Sequence, residues 1–324
     1  MKRDIILLTG ATGRIGPHVL EALLDAGYCV RVATPDAPIR LSEVDWRQVD
    51  FTAHTDYKSL VHGVRHIVHL AAELNEPVKM RQVNVDASSS LAAAAEDAGV
   101  DVFLYSSSVG VYGHPAKLVI DEKTPVMSLN PGVDNVFLDK PYLYDYCISK
   151  LEGEHVINAR LKNTRNVMMR FSNVVTEIEI AKVLTWGWRK RLWRGGRISH
   201  QVYVKDVAAA VVHLLRSHEG GAICVSPEIY IVSSDHEREN CYRHLFYRKA
   251  RKIGLPSWSG CPLWVPSWVD RMKDRFKFRR FFIGYPAGSV VYSPLKLLGT
   301  GFRHPYSIIN IQNKVIESLF SKTN

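Results

Sequence analysis

Short apolar runs alternate with amphipathic segments along the first 110 residues of the chain. Four of the runs predict buried strands, at Asp4–Thr9, Tyr28–Ala33, His66–Leu70 and Asp101–Ser106. Helices are predicted between them at Arg14–Gly27 and at about Met80–Ala98, where Gly99 ends the pattern. Strand, helix and strand at this spacing predict right-handed βαβ units around a buried parallel sheet.

The pattern changes after residue 113. Residues 114–139 are rich in proline and polar side chains and are predicted to form a loop. Beyond it the predicted elements are a helix at about Tyr142–Leu161, a strand at Asn166–Phe171 and a helix at about Val204–Arg216. The whole pattern indicates an α/β protein, with a doubly wound parallel sheet of the Rossmann type and a smaller, partly helical C-terminal domain.

Two domains are predicted from these elements. The larger one comprises residues 1–172, and residues 200–232 are expected to return to it. The smaller one comprises residues 173–199 and 233–324.

A chain of 324 residues can bury such cores without disulfide bonds or metal, and its five cysteines include no CxxC pair. We therefore expect a reducing compartment and no metal site.

Charge and hydropathy exclude some classes of protein. No run approaches the roughly 18 apolar residues that a membrane helix needs, and none forms a secretory signal core, so we expect a cytoplasmic protein. The formal net charge of +10 attracts anions, and the candidates are a phosphorylated or nucleotide-linked substrate, a nucleic acid and an anionic membrane surface. No nucleic-acid-binding module is recognisable, so nucleic acid is not expected as a partner.

A glycine-rich turn follows the first predicted strand. TGATGRIG places Gly10, Gly13 and Gly16 between a strand and a helix. There the first glycine permits the tight turn, the second lets a pyrophosphate approach the backbone, and the third lets the helix pack closely on the sheet. The helix N-terminus offers N–H groups to the phosphates. The predicted cofactor site therefore includes the residues of this turn, which are Gly10, Thr12, Gly13, Arg14, Ile15 and Gly16.

The end of the second strand bears on the choice of cofactor. An acid there binds the ribose 2′-hydroxyl of NAD, whereas a base accepts the 2′-phosphate of NADP. This strand ends at the uncharged Thr34, and Asp36 follows two residues later. We expect Asp36 to lie in the cofactor site, and the sequence leaves both NAD and NADP open.

Two motifs predict the chemistry. Tyr146 and Lys150 stand four residues apart in one predicted helix, so both can face one ligand. A neighbouring ammonium lowers the pKa of a tyrosine toward the range that suits proton transfer. Ser106, Ser107 and Ser108 follow a strand of the predicted sheet, where ligand groups gather. We expect Tyr146 to act as acid and base, Lys150 to tune it and hold the nicotinamide ribose, and Ser108 to bind the reacting oxygen.

These motifs resemble those of the extended short-chain dehydrogenases/reductases, of the NAD-dependent epimerase/dehydratase type typified by UDP-glucose 4-epimerase. TGATGRIG is similar to the family's TGxxGxxG, SSSVGVYG to its SSxxVYG, and YCISK to its YxxxK. RFSNV, VYVKDVAAA and GTGFRHPYSI resemble its later motifs. The resemblance covers nearly the whole chain and implies an oxidoreductase or epimerase with a Rossmann-bound nicotinamide cofactor.

The residue patterns and the resemblance together predict further site residues. Beside the turn, the cofactor is expected to contact Asp36, Asp50, Phe51, Leu70, Ala71, Ala72, Asn84, Ser106, Tyr146 and Lys150. The substrate is expected to contact Ser107, Ser108, Asn173 and Arg197, the last through a phosphate. The catalytic residues are expected to be Ser108, Tyr146 and Lys150.

Four departures separate this chain from the family's pattern. The loop between Ser108 and Tyr146 is enlarged, and the Gly-Pro of the family's NVYGP motif is missing after Asn173. The segment 173–202 is shorter than one that wraps a nucleotide sugar. Ser107-Ser108-Val109 stands where a 4,6-dehydratase carries Thr-Asp-Glu, so that activity is disfavoured.

Tryptophan and basic residues cluster at 186–197 and at 264–282. A solvated basic face over buried tryptophans is the favoured interpretation. The alternatives are a pocket wall that grips a substrate phosphate and an interfacial contact with anionic lipid. Peripheral membrane contact is therefore open but not favoured, and a homodimer is also open.

Three functional hypotheses follow. The first is an NAD(P)-dependent epimerase or oxidoreductase that acts at a carbinol or carbonyl carbon of a sugar-like substrate. The second is an NADP-dependent ketoreductase for a lipid-like or steroid-like carbonyl, which the short segment 173–202 and the aromatic clusters favour. The third is a non-catalytic dinucleotide sensor, and the presence of Ser108, Tyr146 and Lys150 argues against it.

Overall fold

The computed structural model describes residues 4–36, 44–53, 56–130, 133, 141–219, 227–266, 268–269 and 287–321. Within these residues, seven parallel strands form one central sheet. They are β1 (Ile5–Thr9), β2 (Cys29–Thr34), β3 (Val44–Gln48), β4 (His66–His69), β5 (Val102–Ser108), β7 (Arg165–Phe171) and β10 (Glu228–Val232). Shorter strands form two small parallel sheets, which pair β6 (Val119–Ile120) with β11 (Val291–Tyr292) and β8 (Asn173–Val175) with β9 (Gln201–Tyr203).

Helices cover the strands and build the rest of the described chain. Those before residue 160 are α1 (Gly16–Asp25), α2 (Tyr57–Val61), α3 (Pro77–Met80), α4 (Ser88–Asp97) and α5 (Pro141–Arg160). Those after it are α6 (Glu177–Leu184), α7 (Trp188–Arg194), α8 (Val204–His218), α9 (Tyr242–Lys252), α10 (Leu295–Gly299) and α11 (Ile308–Phe320). The predicted α/β class and Rossmann-type sheet are confirmed.

The order of the strands fixes where a ligand can bind. The sheet runs β10-β7-β5-β4-β1-β2-β3, so the chain leaves β1 in one direction along the sheet and returns to its other side at β4. In open parallel sheets a crevice forms at such a reversal, outside the carboxyl ends of the strands. Strands β1 and β5 read as continuous apolar runs because both of their faces are buried.

The predicted helix at Met80–Ala98 is only partly correct. Helix α3 leads into a π-helical segment, Arg81–Ala87, before α4 begins at Ser88. A wider turn shifts the side chains that follow it, and such segments are frequent at functional sites. This one contains the buried Asn84, whose side chain bonds to a neighbouring loop and helix.

The predicted loop 114–139 contains the short strand β6 in its described part, and residues 131–132 and 134–140 lie outside the described residues. Strand β3 and helix α2 were not predicted at all. Both are five residues long and only partly buried, so neither produces a clear hydrophobic period.

One apolar core connects the parts of the chain. It includes Leu8 of β1, Val211 of α8, Phe246 of α9 and Val315 of α11. Strand β10, which belongs to the segment 200–232, lies at the edge of the large sheet beside β7, and residues 220–226 of that segment lie outside the described residues. The domain boundaries themselves stay a prediction.

Candidate active site

A cleft of about 1260 Å³ opens at the carboxyl ends of β1, β4 and β5. Most of the predicted site residues line it. They are Gly10, Thr12, Gly13, Arg14, Ile15, Gly16, Asp50, Phe51, Leu70, Ala71, Ala72, Ser106, Ser107, Ser108 and Tyr146. Residues that are far apart in the sequence therefore meet at the predicted crevice.

Gly10 and Gly16 shape the turn itself. Gly10 has a φ of +70°, and a Cβ there would come within 2.7 Å of the Ala71 backbone nitrogen. A Cβ on Gly16 would come within 2.2 Å of the Gly10 carbonyl oxygen. The first glycine lets the turn approach β4, and the second lets α1 begin directly against the turn, so both are required by the fold.

Gly13 differs from these two glycines. A Cβ there would meet only the Gly10 carbonyl oxygen, at an ordinary 3.4 Å. The protein therefore has room for a side chain at Gly13, and that room is in the cleft that the residue lines. A cradle that a Cβ would fill fits a pyrophosphate that contacts the backbone at the start of α1.

Buried hydrogen bonds join the floor of the cleft. Thr9 Oγ1 lies 2.7 Å from His69 Nδ1, and the other ring nitrogen of His69 lies 2.9 Å from Ser88 Oγ. The Ala71 amide also donates to Thr9 Oγ1. Burial and the nearby charge of Lys150 lower the pKa of His69 to about 3, so the ring is neutral and structural.

The three serines at the end of β5 have different environments. Ser108 Oγ accepts a hydrogen bond from the Gly110 amide at the start of a 3₁₀ turn, so its hydroxyl proton can still be donated. The buried Ser107 Oγ has no hydrogen-bond partner within the described chain, although the residue lines the cleft. Buried hydroxyls are normally paired, so Ser107 and Ser108 both suit a polar ligand.

Tyr146 enters the cleft from α5 and is half-buried. Burial raises the pKa of its phenol above the ordinary value of 10.0, and the positive charge of Arg14 offsets only part of this effect. We expected Lys150 to lower this pKa, and for this structure the expectation is wrong. The reason is that desolvation disfavours the phenolate more than the nearby cations favour it.

Lys150 lies one turn further along α5 and does not line the cleft. Its side chain is almost wholly buried, and its Nζ stands 4.0 Å from the centre of the Tyr105 ring, with no hydrogen-bond partner in the described residues. Burial lowers its pKa from 10.5 to about 7, although the carboxylate of Glu154 acts in the opposite direction. An unpaired buried amine beside the cleft fits a ligand hydroxyl.

A buried ion pair holds the next turn of the same helix. Arg170 of β7 donates to both carboxylate oxygens of Glu154, at 3.0 and 2.7 Å, and to the Tyr112 hydroxyl at 2.9 Å. Tyr146, Lys150 and Glu154 are spaced four apart on α5, so this pair fixes the helix that carries the predicted catalytic residues. The sequence did not identify Glu154, although its spacing from Lys150 was a usable signal.

Replacing Lys150 with methionine is expected to stabilise the folded protein by an amount that depends on pH. An unfolded lysine is protonated below pH 10.5, whereas the buried Lys150 stays neutral down to about pH 7. The free energy of unfolding of the wild type therefore falls as the pH falls through this window and changes no further below it. Urea titrations of both proteins at several pH values should show a gain for Lys150→Met that grows toward neutral pH.

The exposed Lys162 supplies the matched control for this measurement. Lys162→Met should keep the pH dependence of the wild type, since this side chain is exposed and the buried Lys150 is unchanged. A gain for Lys150→Met that is constant with pH would show that Lys150 does not titrate as the structure requires.

Five predicted site residues do not line the cleft, namely Lys150, described above, and Asn84, Asp36, Asn173 and Arg197. Asn84 is fully buried and bonds to the Glu73 backbone and to Ser149 Oγ, so it positions the loop after β4 and helix α5 instead of touching a ligand. Asp36 is exposed and bonds to Thr34. Its neighbour Pro35 lines the cleft, so Asp36 stands next to the cleft without lining it. Asn173 is exposed, because its strand β8 pairs away from the large sheet.

Arg197 is also misplaced by the prediction. Its side chain is buried, and it packs so closely under Gly288 that a Cβ there would come within 2.8 Å of it. The structure therefore gives Arg197 a packing role and not the expected contact with a substrate phosphate.

The cleft has further lining residues that the sequence did not identify. They are Pro35, Gln48, Thr52, Glu73, Leu74, Asn75, Lys79, Val83, Phe171, Ser172 and Val174. Phe171 and Ser172 stand at the carboxyl end of β7, and that position alone was a signal that they face the crevice.

Comparison with known proteins now decides the family. A family model described as the NAD-dependent epimerase/dehydratase family matches residues 6–232. The chain belongs to the NAD-dependent epimerase/dehydratase family. This confirms the predicted family, the prediction of an enzyme and the prediction of a nicotinamide cofactor.

Sequence similarity to curated proteins covers part of the chain. The chain is 28% identical to a putative UDP-glucose 4-epimerase of Methanocaldococcus jannaschii over 64% of this chain and 72% of that protein. With several other curated UDP-glucose 4-epimerases the match spans about half of their length.

Two solved structures share the fold over nearly the full length of both chains. One is a short-chain dehydrogenase/reductase superfamily protein of Agrobacterium tumefaciens with bound NAD, at a TM-score of 0.71, 18% identity and 98% coverage of each chain. The other is UDP-glucose 4-epimerase of Thermotoga maritima with UDP-glucose, at a TM-score of 0.66 and 18% identity, covering 99% of this chain and 100% of that one.

No helix among the described residues combines the length and the apolar character needed to cross a membrane. In the same part of the chain, no three His, Cys, Asp or Glu side chains are grouped so that they could hold a metal ion.

Proposed function

We propose that this chain is an NAD-dependent epimerase that inverts a carbinol centre of a nucleotide-linked sugar. The observation that carries the proposal is the meeting of the glycine turn, Ser108 and Tyr146 in one cleft. A ligand in this cleft would have its phosphates at the turn and its reacting carbon near the phenol. Ser107 and Lys150 add two unpaired buried polar groups beside the same position.

NAD is the cofactor that we propose, in preference to NADP. The guanidinium of Arg31 on β2 bonds to Asp45 and to two carbonyl oxygens, so it is not free to bind a 2′-phosphate. At the end of β2, Thr34 bonds to Thr12 and the acidic Asp36 stands beside it. An acid at this position favours a ribose hydroxyl over a phosphate. The bound NAD in the Agrobacterium tumefaciens protein supports the same choice.

The side chains of the cleft divide the proton chemistry between them. Bound NAD supplies the oxidation, because it can take a hydride from the carbinol carbon. Tyr146 removes the hydroxyl proton and later returns it, while Ser108 donates a hydrogen bond to the reacting oxygen. Because burial keeps the Tyr146 phenol protonated, a positive charge must come close to it before it can act as a base. Arg14, which already acts in this direction, supplies part of that charge, and Lys150 holds a ribose hydroxyl.

A nucleotide-linked sugar is the substrate class that the relatives support. Several curated relatives are UDP-glucose 4-epimerases, and the Thermotoga maritima neighbour was solved with UDP-glucose. The exposed Arg14 and Lys79 at the cleft suit the phosphate groups of the cofactor or of such a substrate.

The test combines two measurements on the purified protein. Denaturation should release NAD in an amount close to one per chain, since an epimerase must keep its cofactor through both half-reactions. UDP-glucose should then be converted to an equilibrium mixture with UDP-galactose without added cofactor. Release of NADP, or an absence of epimer with this and related nucleotide sugars, would contradict the proposal.

A second candidate is a ketoreductase that exchanges its cofactor. Phe171 and Val174 at the cleft favour it, because they are apolar and suit an apolar substrate. Asn173 also favours it, because it is exposed and does not line the cleft in which a sugar would bind. A protein that releases no nucleotide and oxidises NADPH with an apolar ketone would support this candidate over the epimerase.

A further inference from the structure

An apolar surface lies outside the cleft, on α7 and the segment that packs beside it. Helix α7 contributes no buried side chain, and its Trp188 and Trp193 are 67% and 45% exposed. Trp258 and Leu263 of the neighbouring segment are 65% and 72% exposed. We call these four side chains the tryptophan patch. Large apolar side chains are rarely left so open in a group unless the surface has a partner.

The two parts of the tryptophan patch are held together by direct contacts. The Val265 amide donates to the Leu192 carbonyl at 2.7 Å, and Arg191 donates to the Gly260 carbonyl at 2.9 Å. Gly260 in turn packs against the Phe246 carbonyl of α9, where a Cβ would not fit. The patch is therefore a fixed part of the folded protein and not a pair of independent loops.

The surface around the patch is positively charged. Arg189, Lys190 and Arg194 of α7 are exposed, and so are Arg251 and Lys252 at the end of α9. The sequence contains no aspartate or glutamate between residues 181 and 205 or between residues 240 and 269. Cations without nearby acids give this face a positive potential that attracts an anionic surface.

We propose that the tryptophan patch and its surrounding cations bind the anionic surface of a phospholipid bilayer. Tryptophan prefers the headgroup region, where its ring is partly apolar and its N–H is solvated, and cations beside it meet the lipid phosphates. The exposed Trp188 and Trp193 depart from the favoured interpretation, in which the tryptophans are buried. None of these residues lines the cleft, so the enzyme can bind the bilayer and its substrate together.

The composition of the surface favours lipid over nucleic acid. A nucleic acid would use the cations and could stack bases on the tryptophans. It would have no use for Leu263, or for Ile253 and Leu255, which are 44% and 51% exposed beside the cations at the end of α9. Burying aliphatic side chains in the headgroup region removes them from water, and a bilayer with anionic lipid uses all of these groups at once.

Vesicle sedimentation of the full chain tests the proposal. Vesicles of phosphatidylcholine with phosphatidylglycerol should bind the protein, and vesicles of phosphatidylcholine alone should bind it much more weakly. Binding should weaken between about 0.1 M and about 1 M salt, where the Debye length shortens from about 10 Å to about 3 Å. Brominated lipids should quench the tryptophan fluorescence of the wild type, because the patch reaches the acyl chains.

Two double variants separate the apolar and the charged contributions. Trp188→Ser with Trp193→Ser should weaken binding by about tenfold or more, because two large apolar side chains lose their burial. Arg189→Glu with Lys190→Glu should weaken it by at least about 25-fold, since each basic residue at an anionic surface contributes about fivefold. The charge variant changes only exposed positions, so it keeps the test decisive if the tryptophan variant does not fold.

Lys58→Glu with Lys162→Glu is the matched control, with the same change in net charge at exposed positions of other elements. It should bind vesicles as the wild type does. The proposal is overturned if the wild type does not bind anionic vesicles, or if the control loses binding as the patch variants do. It is also overturned if heparin or single-stranded DNA binds instead of vesicles, or if the patch variants only dissociate a dimer of this chain.

Discussion

Tyr146→Phe is expected to reduce turnover by about 10²–10⁴-fold, the usual contribution of a positioned acid or base. The substitution keeps the ring that packs under the cleft and removes only the hydroxyl that can carry a proton. Cofactor binding and thermal stability should stay close to those of the wild type. The rate with a confirmed substrate and the nucleotide content after denaturation are the two quantities to measure.

Tyr144 supplies the control on the same helix. It is half-buried like Tyr146 but does not line the cleft, so Tyr144→Phe should keep most of the activity. If Tyr146→Phe turned over at the wild-type rate, the proposed proton transfer would be wrong, even with the cofactor in place.

Gly13→Val is expected to abolish dinucleotide binding and leave the fold intact. The protein itself offers no clash at this position, since the only contact of a Cβ would be the Gly10 carbonyl at 3.4 Å. The new side chain would instead occupy the part of the cleft where a pyrophosphate meets the start of α1. Calorimetric titration with NAD and a thermal unfolding curve measure the two effects separately.

Gly16→Val gives the contrasting result for this experiment. A Cβ there would overlap the Gly10 carbonyl oxygen at 2.2 Å, so the variant should lose stability as well as binding. Undiminished affinity for NAD in Gly13→Val would remove the glycine turn from the cofactor site, whatever family the chain belongs to.

The glycine turn and its strand could be predicted because their signals are local. Gly10, Gly13 and Gly16 have fixed spacing, and the apolar run before them has the length of a buried strand. Tyr146 and Lys150 follow in the same way from the period of one helix. The cleft brings these motifs together as the order of the strands requires.

The environment of Lys150 could not be predicted from its motif. The spacing shows that it shares a face with Tyr146, but its burial depends on Tyr105 of β5 and on the Glu154–Arg170 pair. Two members of this set, Tyr105 and Arg170, come from strands β5 and β7 outside the helix. The pKa directions of both residues therefore became visible only with the packing, and the direction for Tyr146 is the opposite of the expected one.

Asn84 and Arg197 show a second limit. Both were assigned to the site from residue type and position, yet each is buried in a structural role. A motif fixes where a residue stands along the chain, whereas the direction of its side chain depends on partners such as Glu73 for Asn84 and Gly288 for Arg197. Short strands such as β6 and β11 were not predicted for a related reason. A strand of two residues is too short to show an alternating pattern of apolar and polar side chains.

The pairing of β6 with β11 has a consequence for the order in which the protein matures. Val119 pairs with Val291, and Tyr112, which bonds to Arg170, stacks on Tyr292. A nascent chain can therefore complete its glycine turn early in translation. Strand β11, whose Tyr292 stacks on Tyr112, is synthesised much later. A protein clipped before residue 287 would lose β11 and also α11, whose Val315 belongs to the central core, so it is expected to lose stability as well as turnover.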